Sequence, residues 1–243
     1  MPRLGSRGTV DFDVRNEPVP WAVGEHVAII GTTGTGKTYL TSKLLEWRQY
    51  IAVLRTKPDD IKFKGFHKVA DAKALATPNR YPKLLISPDF RRQRIVAADL
   101  FDTVWNMGNW TIVIDELFYV HDTLGMKDWV NMLLTQGRSK RISVVVGMQR
   151  PVSITRFALS ESTHIMSFRL EKRDAKTLGE ASSDVLAEAT LRVPPYHFAH
   201  WYVKGRSLAV GTADRLDKVL LPPAHRATLR DDGSAPAGTG DRA

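Results

Sequence analysis

The sequence predicts an α/β fold in which helices cover both faces of a mostly parallel β-sheet. Short apolar runs rich in β-branched residues recur along the chain, and most of them lack the alternating polar residues of a half-exposed strand. Stretches with the apolar spacing of an amphipathic helix separate these runs. A glycine-rich loop joins the first run to the first helical stretch. Strand–helix alternation of this kind is typical of a doubly wound α/β core.

The predicted elements follow from these two periodicities. The apolar runs taken as strands are His26–Ile30, Ile51–Leu54, Leu84–Ile86, Thr111–Ile114, Ile142–Val146 and His164–Phe168. Three stretches between them place apolar residues on one helical face. Those residues are Leu40, Leu44 and Trp47; Val96, Ala97, Leu100, Phe101 and Val104; and Trp129, Val130, Leu133 and Leu134.

The two ends of the chain differ from this core. Residues 1–24 hold glycine, proline and mixed charge, and we predict an extended N-terminal segment there. Residues 25–229 are the predicted core domain, and they include two short apolar runs around residues 201–203 and 208–210 that predict a small β-hairpin. Residues 230–243 are polar and rich in glycine and alanine, which predicts a disordered tail.

Composition excludes some classes of protein. The absence of cysteine excludes a disulfide scaffold and a cysteine-ligated metal site. No apolar run approaches the roughly 18 residues of a membrane helix, and the N-terminus lacks the apolar core of a signal peptide. We therefore predict a cytoplasmic protein with no membrane insertion. The net charge of +9 favours a polyanionic partner, because phosphate contacts dominate nucleic-acid affinity, but charge alone does not identify one.

The glycine-rich loop matches GxxxxGK(S/T), the phosphate-binding loop of many nucleotide hydrolases. Its glycines let successive backbone N–H groups face phosphate oxygens, and the helix that follows adds partial positive charge. We expect Lys37 to contact the β- and γ-phosphates of ATP and the Thr38 hydroxyl to bind Mg²⁺. The strand before the loop and the helix after it favour this interpretation over a Gly/Thr-rich turn. The predicted ATP-binding residues are Gly31, Thr32, Thr33, Gly34, Thr35, Gly36, Lys37 and Thr38.

Two carboxylates follow the apolar strand Thr111–Ile114 directly. We expect Asp115 to bind Mg²⁺ and Glu116 to polarise the water that attacks the γ-phosphate. A strand that ends in an ordinary acidic turn is the alternative, and the phosphate-binding loop upstream argues against it. The adjacent glutamate favours an ATPase with a water nucleophile over a kinase. The predicted fold is therefore a RecA-like P-loop NTPase core that hydrolyses ATP.

The next buried strand ends in Gln149, and residues 137–151 read GRSKRISVVVGMQRP. A strand of this kind can lie between the phosphate-loop strand and the catalytic strand, so that the amide of Gln149 faces the γ-phosphate as a sensor. Together with GTTGTGKT and TIVIDE, this run resembles the FtsK/HerA superfamily of DNA-pumping ATPases, which includes conjugation ATPases and some viral packaging ATPases. The resemblance covers residues 25–180, and Gln-Arg-Pro after the sensor strand is its most specific feature.

The resemblance implies a motor that translocates or packages double-stranded DNA as a ring, pentameric or hexameric. It assigns Lys37 and Glu116 to catalysis and Gln149 to the sensor. Arg138 falls where related ATPases have an arginine proposed to act on the neighbouring subunit's ATP, with Arg173 as the second candidate. The chain has the size of a viral packaging ATPase, which implies association with a virion or phage capsid during assembly, through a portal or capsid protein.

Other interpretations stay open at this point. An ATP-dependent assembly or export factor acting on a protein, as in filamentous-phage morphogenesis, belongs to a different class, and a slow regulatory NTP-binding module is a third. Thr56-Lys57-Pro58-Asp59 is similar to a guanine-recognition motif, but its position after the second strand favours a loop near the DNA channel or a subunit contact. Three basic clusters are candidates for pore contacts. They are Arg91, Arg92 and Arg94; Arg138, Lys140 and Arg141; and Arg169, Lys172, Arg173 and Lys176.

Overall fold

The computed structural model of the chain describes residues 19–57, 63–151 and 156–221. The strands are β1 (Val19–Pro20), β2 (Val27–Ile30), β3 (Ile51–Leu54), β4 (His67–Val69), β5 (Lys83–Ile86), β6 (Thr111–Ile114), β7 (Ser143–Met148), β8 (His164–Ser167), β9 (His197–Tyr202), β10 (Ser207–Thr212) and β11 (Leu220–Leu221). The helices are α1 (Lys37–Leu45), α2 (Gln93–Met107), α3 (Lys127–Gln136), α4 (Arg156–Glu161), α5 (Lys172–Ala181) and α6 (Asp184–Arg192).

Nine of the described strands form one sheet, in the order β10–β9–β8–β2–β7–β6–β3–β5–β4. All pairings from β8 to β4 are parallel, whereas β9 pairs antiparallel with both β8 and β10. The carboxyl ends of seven strands therefore open at one edge of the sheet, which is where open α/β sheets bind their ligands. The strand before the glycine-rich loop, β2, lies near the middle, with β7 on one side and β8 on the other.

The core lies on both faces of this sheet, which explains why its strands are continuous apolar runs. Side chains alternate along a strand, so β2 divides between two apolar clusters. Ala28 and Ile30 pack in the cluster that contains the buried residues of α2, α3, α5 and α6. Val27 and Ile29 pack in the other cluster, with those of α1 and with Trp21. Among the described residues, no helix is both long and apolar enough to cross a bilayer.

The predicted fold class is confirmed. The six predicted strands are present with end shifts of up to two residues. As expected, β7 lies between β2, which precedes the glycine-rich loop, and β6, which precedes Asp115 and Glu116. The predicted hairpin is β9 and β10, both longer than the runs that predicted them. The sequence patterns did not predict β4 or helices α4 to α6, and β1 pairs with β11 in a separate parallel ribbon. Residues 1–18 of the predicted N-terminal segment, and all of the predicted tail at 230–243, lie outside the described residues.

A buried polar cluster lies at the amino edge of the sheet, opposite the glycine-rich loop. Glu25 accepts hydrogen bonds from Lys204 Nζ at 2.8 Å and from the Ala22 N–H at 2.6 Å, and its Oε2 lies 3.2 Å from His164 Nε2. His164 Nδ1 in turn lies 3.0 Å from His200 Nε2. Burial alone would raise the pKa of Glu25, but the bonds to His164, Lys204 and Ala22 together hold it well below its ordinary value. Burial lowers the pKa of both histidines.

We expect this edge to make the fold sensitive to acid. Burial and, next, the charge of Arg138 lower the pKa of His26 from 6.5 to about 4. His26 therefore binds a proton near pH 6.5 in the unfolded chain but only near pH 4 in the folded chain. The free energy of unfolding falls as the pH drops through that interval. The loss assigned to His26 reaches roughly 3 kcal/mol. Urea unfolding between pH 7 and pH 4 measures it. His26→Gln should flatten the profile and the exposed control His67→Gln should not; equal profiles for both variants would contradict the assignment.

Candidate functional site: a nucleotide site at the carboxyl edge of the sheet

The glycine-rich loop lies between β2 and α1, at the carboxyl edge of the sheet. Gly34 and Gly36 have φ angles of 83° and 103°, a left-handed conformation that side-chain-bearing residues rarely adopt. The loop can therefore curl so that its N–H groups face inward at the start of α1. The ammonium group of Lys37 is held over the loop by the carbonyl oxygens of Gly31 at 2.6 Å and Thr32 at 2.9 Å.

The ends of β7 and β6 bring the other predicted residues together beside the loop. Because β7 lies between β2 and β6, Gln149 after β7 and Glu116 after β6 are neighbours, and Gln149 Nε2 donates to Glu116 Oε2 at 2.7 Å. A cavity of about 480 Å³ collects these side chains. Of the predicted site residues, it is lined by Thr33, Gly34, Gly36, Lys37, Thr38, Asp115, Glu116 and Gln149.

Lys37 of the phosphate loop interacts electrostatically with the charged groups on the opposite side of this cavity. Burial, and then the charge of Lys57, lower the pKa of Lys37, whereas the carboxylates of Glu116 and Asp115 act in the opposite direction. A cation that is partly desolvated and faces two carboxylates is well placed to bind a polyanion carrying its own divalent cation. The arrangement is the one that a nucleoside triphosphate with Mg²⁺ requires.

Gly147 allows the end of β7 to approach the strand end that carries Asp115 and Glu116. A Cβ atom at Gly147 would overlap the main-chain carbonyl oxygen of Asp115, so the two strand ends approach more closely than any side chain allows. A glycine within a buried strand is a known sign of such an approach. The sequence contained this signal in the run VVVGMQ, and the role of Gly147 was not predicted from it.

The residues that would hold Mg²⁺ suit that ion. The Thr38 hydroxyl and the Asp115 carboxylate line the same cavity as Lys37, and both supply hard oxygen ligands. A magnesium ion in a nucleotide site keeps several waters and takes only one or two protein oxygens, the rest coming from phosphates. The donor set therefore fits Mg²⁺ bound together with a nucleotide better than a cation bound by protein alone.

Lys57 is a site residue that sequence reasoning missed. Its Nζ lies 2.9 Å from Glu116 Oε2, so the predicted catalytic base carries an ion pair as well as the hydrogen bond from Gln149. The structure therefore places Lys57 in the lining of this cavity, a position that was not predicted from the sequence. The cause is the pairing of β3 with β6, which brings the residues after both strands together. Asp59, the last residue of the guanine-like motif, lies outside the described residues.

A second layer of hydrogen bonds supports this side of the site. Gln93, buried in the first turn of α2, donates through Nε2 to the Thr56 carbonyl oxygen at 3.0 Å. Its Oε1 accepts from the Tyr119 hydroxyl at 2.8 Å. Gln93 therefore connects the segment that carries Lys57 to the segment that follows Glu116. The residues on either side of Gln93 in the chain, Arg92 and Arg94, are both exposed.

The two candidate arginine fingers do not line the cavity of their own chain. Arg138 is exposed at the amino edge of the sheet, where its Nη2 lies 3.2 Å from Thr163 Oγ1. Arg173 is exposed in the first turn of α5. The structure of one chain therefore brings neither of them to Glu116.

Comparison with known proteins points to one family. Residues 18–47 match the family model DUF87, described as the central domain of helicase HerA, and this range spans β2, the glycine-rich loop and α1. The chain is 32% identical over 165 residues to the DNA packaging ATPase P9 of Enterobacteria phage PRD1. That alignment covers 63% of this chain and 68% of the phage protein.

Solved structures share the fold at low sequence identity. The genome packaging NTPase B204 of Sulfolobus turreted icosahedral virus 2, in complex with sulfate, superposes with a TM-score of 0.66 at 16% identity, over 77% of this chain and 96% of B204. Its complex with ATP-gammaS gives a TM-score of 0.60 over the same shares of both chains. The pCW3 conjugation coupling protein TcpA, in a monomer form with ATPgS, gives 0.53 at 15% identity, over 95% of this chain and 81% of TcpA. The sheet and loop described above are therefore a P-loop NTPase fold.

Proposed function

The chain belongs to the family of P-loop ATPases that contains the DNA packaging ATPase P9 of phage PRD1, and from this premise we propose that it is an ATP-hydrolysing motor that packages double-stranded DNA. The observation that carries the proposal is the convergence of five predicted residues in one cavity of a chain with such a relative. These residues are Lys37, Thr38, Asp115, Glu116 and Gln149.

The first step assigned to the site is capture of the triphosphate. Loop N–H groups and the start of α1 receive the β-phosphate, while the Lys37 ammonium exchanges its two loop carbonyls for phosphate oxygens. Thr38 and Asp115 would hold Mg²⁺, which neutralises charge on the β- and γ-phosphates when it is bound. Since phosphoryl transfer depends mainly on positioning and charge stabilisation, these contacts supply much of the rate enhancement.

The second step is activation of water by Glu116. In the structure, one oxygen of this carboxylate is occupied by both Lys57 and Gln149. A γ-phosphate at this end of the cavity would compete for both donors, because an amide and an ammonium each bind phosphate oxygens. The carboxylate is then released to accept a proton from the attacking water. We assign Gln149 the role of sensor, and Lys57 that of a cation which restrains the base until ATP arrives.

We assign the binding of DNA to the exposed basic surfaces. The three arginines at the start of α2, and the basic residues Arg169, Lys172, Arg173 and Lys176 on and before α5, are exposed. Contacts of this kind bind phosphates without reading bases. The proposed ring, pentameric or hexameric, would place such surfaces around a pore, and a portal or capsid protein would complete the motor during virion assembly.

Duplex DNA of arbitrary sequence is expected to stimulate ATP hydrolysis several-fold. A translocating ring couples each ATP cycle to a change in its contacts with DNA phosphates. Without DNA, the groups that hydrolyse ATP are therefore poorly aligned. Stimulation should rise with DNA length up to the footprint of the ring, ignore base sequence and fall steeply with salt. In a plot of the logarithm of the DNA-binding constant against the logarithm of the salt concentration, the slope should be about −0.9 per phosphate contact. Steady-state ATPase assays across DNA length and salt measure all of these.

A charge-matched pair of variants shows which surface is used. Replacing Lys172, Arg173 and Lys176 together by alanine should make the salt slope shallower if α5 lines the pore. The control removes three exposed lysines near β4: Lys64, Lys68 and Lys73. An ATPase rate unchanged by duplex DNA at low salt, in a preparation shown to form rings, would overturn the DNA-motor proposal. An assembly factor with a protein partner would then be the better interpretation.

A further inference from the structure

We propose that a second cavity, on the other side of the phosphate-binding loop, is a nucleobase subsite in which Tyr196 stacks on the adenine ring of ATP. The inference rests on the proposed function only in taking the bound phosphate chain to be that of a nucleotide. It assigns a binding role to a residue outside every motif of the sequence.

The cavity adjoins the phosphate site. It has a volume of about 420 Å³, which falls within the range of small-molecule sites. Thr32, Gly34 and Thr35 of the phosphate loop form one wall, and Gly34 also lines the catalytic cavity. The remaining walls come from residues 168–171 after β8 and from residues 194–197, which lead into β9. A ligand held by the loop can therefore extend into this space without leaving the protein surface.

The direction of a bound nucleotide follows from the strand order. Glu116 and Gln149 end strands on the β7 side of β2, so the γ-phosphate must lie on that side. A nucleoside triphosphate laid along the loop then carries its nucleoside toward the β8 side. The second cavity opens there, at the carboxyl end of β8 and the start of β9. The two cavities thus suit the two ends of one molecule.

Tyr196 is placed to stack on a planar ring. Its side chain is 72% exposed, although it lies against the loop: a methyl group built on Gly36 would be 3.9 Å from Tyr196 Cδ1. The buried Phe168 contacts the same glycine and meets Phe198 edge to face, with ring centroids 6.1 Å apart. Tyr196 therefore has one ring edge near the loop, and most of its side chain is exposed in the lining of the cavity. An exposed aromatic ring beside a ligand cavity is what base stacking uses.

The turn that carries Tyr196 holds the ring in place. Tyr196 has a φ of 59°, which is uncommon for an aromatic residue, and it follows two consecutive prolines. The His197 side chain donates through Nδ1 to the Pro195 carbonyl oxygen at 3.0 Å, and the His197 N–H donates to that of Pro194 at 3.1 Å. A rigid turn lowers the entropy cost of ordering the ring when a base arrives.

The test compares ATP with a ligand that has the phosphates and no base. Dissociation constants of Mg-ATP and Mg-tripolyphosphate are measured by calorimetry for the full chain and its variants. Tyr196→Asn, which tolerates the left-handed backbone, should weaken ATP binding about tenfold, or about 1.4 kcal/mol. It should leave tripolyphosphate binding within about twofold of wild type, since stacking contributes only to the base. Tyr196→Phe keeps the ring and should restore ATP affinity.

Two other exposed aromatic residues serve as controls. Phe90, 76% exposed on the far side of the catalytic cavity, should leave the ratio of the two constants unchanged when replaced by alanine. Tyr39 follows the loop, and its hydroxyl bonds to Asp214. Selective loss of ATP affinity in Tyr39→Ala, with Tyr196→Asn unaffected, would overturn the proposal. So would equal losses for ATP and tripolyphosphate in Tyr196→Asn, because the ring would then support only the loop.

Photolabelling locates the base without relying on a variant. Wild-type protein irradiated with 8-azido-ATP should carry the label on the peptide that contains residues 194–197, and excess ATP should prevent labelling. Label confined to the peptide that contains residues 56–57, on the other side of the loop, would overturn the proposed nucleobase subsite. Failure of the DNA-motor proposal would look different: ATP would bind with this selectivity, and duplex DNA would not change its hydrolysis.

Discussion

Glu116→Gln is expected to lower steady-state ATP turnover roughly a thousandfold while ATP and Mg²⁺ binding are retained. The amide cannot take a proton from water, but it has nearly the same shape and can still accept a hydrogen bond from Gln149 or Lys57. The change also removes a negative charge beside Lys37 and Lys57, so affinity for anionic ATP should stay the same or rise. Single-turnover hydrolysis and calorimetric titration with Mg-ATP separate the two effects.

Asp115→Asn gives the comparison that separates the two acidic residues. It removes the expected metal ligand and leaves the base, so hydrolysis should need more Mg²⁺ and binding should weaken. Glu46→Gln provides a control, because this exposed carboxylate pairs with the nearby Lys43 and, within the described part of the chain, with no other cationic side chain. Indistinguishable binding and turnover in the Asp115 and Glu116 variants would contradict the division of roles.

The fold, the phosphate-binding loop and the two adjacent carboxylates could be predicted because they depend on local sequence pattern. Strands buried on both faces are continuous apolar runs, and the phosphate-binding loop is contiguous in sequence, so neither depends on knowing the strand order. The same applies to Asp115 and Glu116, which directly follow a strand.

Lys57 and Tyr196 depend on contacts between distant segments, and the sequence patterns could not place them. Lys57 reaches Glu116 only because β3 pairs with β6, an arrangement that hydrophobic periodicity does not specify. Tyr196 follows two prolines in a polar loop, which is an ordinary turn signal. Its left-handed backbone and its position against Gly36 appear only in three dimensions. Likewise β4 is a three-residue strand with a polar, mostly exposed pattern, which resembles a loop.

The structure constrains how Arg138 could act. It precedes β7, whose six residues span the sheet, and Gln149 follows the other end of that strand. A six-residue strand is roughly 20 Å long, so the Arg138 guanidinium cannot reach the γ-phosphate site of its own chain. If Arg138 stabilises the transition state, it must do so for a neighbouring subunit. Arg173 has no such constraint, because α5 begins soon after the carboxyl end of β8.

Arg138→Ala alone is therefore expected to lower turnover by about a thousandfold, the scale of a lost arginine finger, and Arg138→Lys should not restore it. Mixing Arg138→Ala subunits with Glu116→Gln subunits should restore activity, although each variant is inactive alone. An interface that joins an intact Glu116 to a neighbour's intact Arg138 is complete, and random mixing at equal amounts produces it at about a quarter of interfaces in a head-to-tail ring. ATPase assays on mixed rings verified by mass spectrometry measure the recovery.

The control uses mixtures of Arg173→Ala subunits with Glu116→Gln subunits, made in parallel. Recovery with Arg173→Ala and none with Arg138→Ala would move the finger to Arg173, whose side chain would then be the one that crosses the subunit interface.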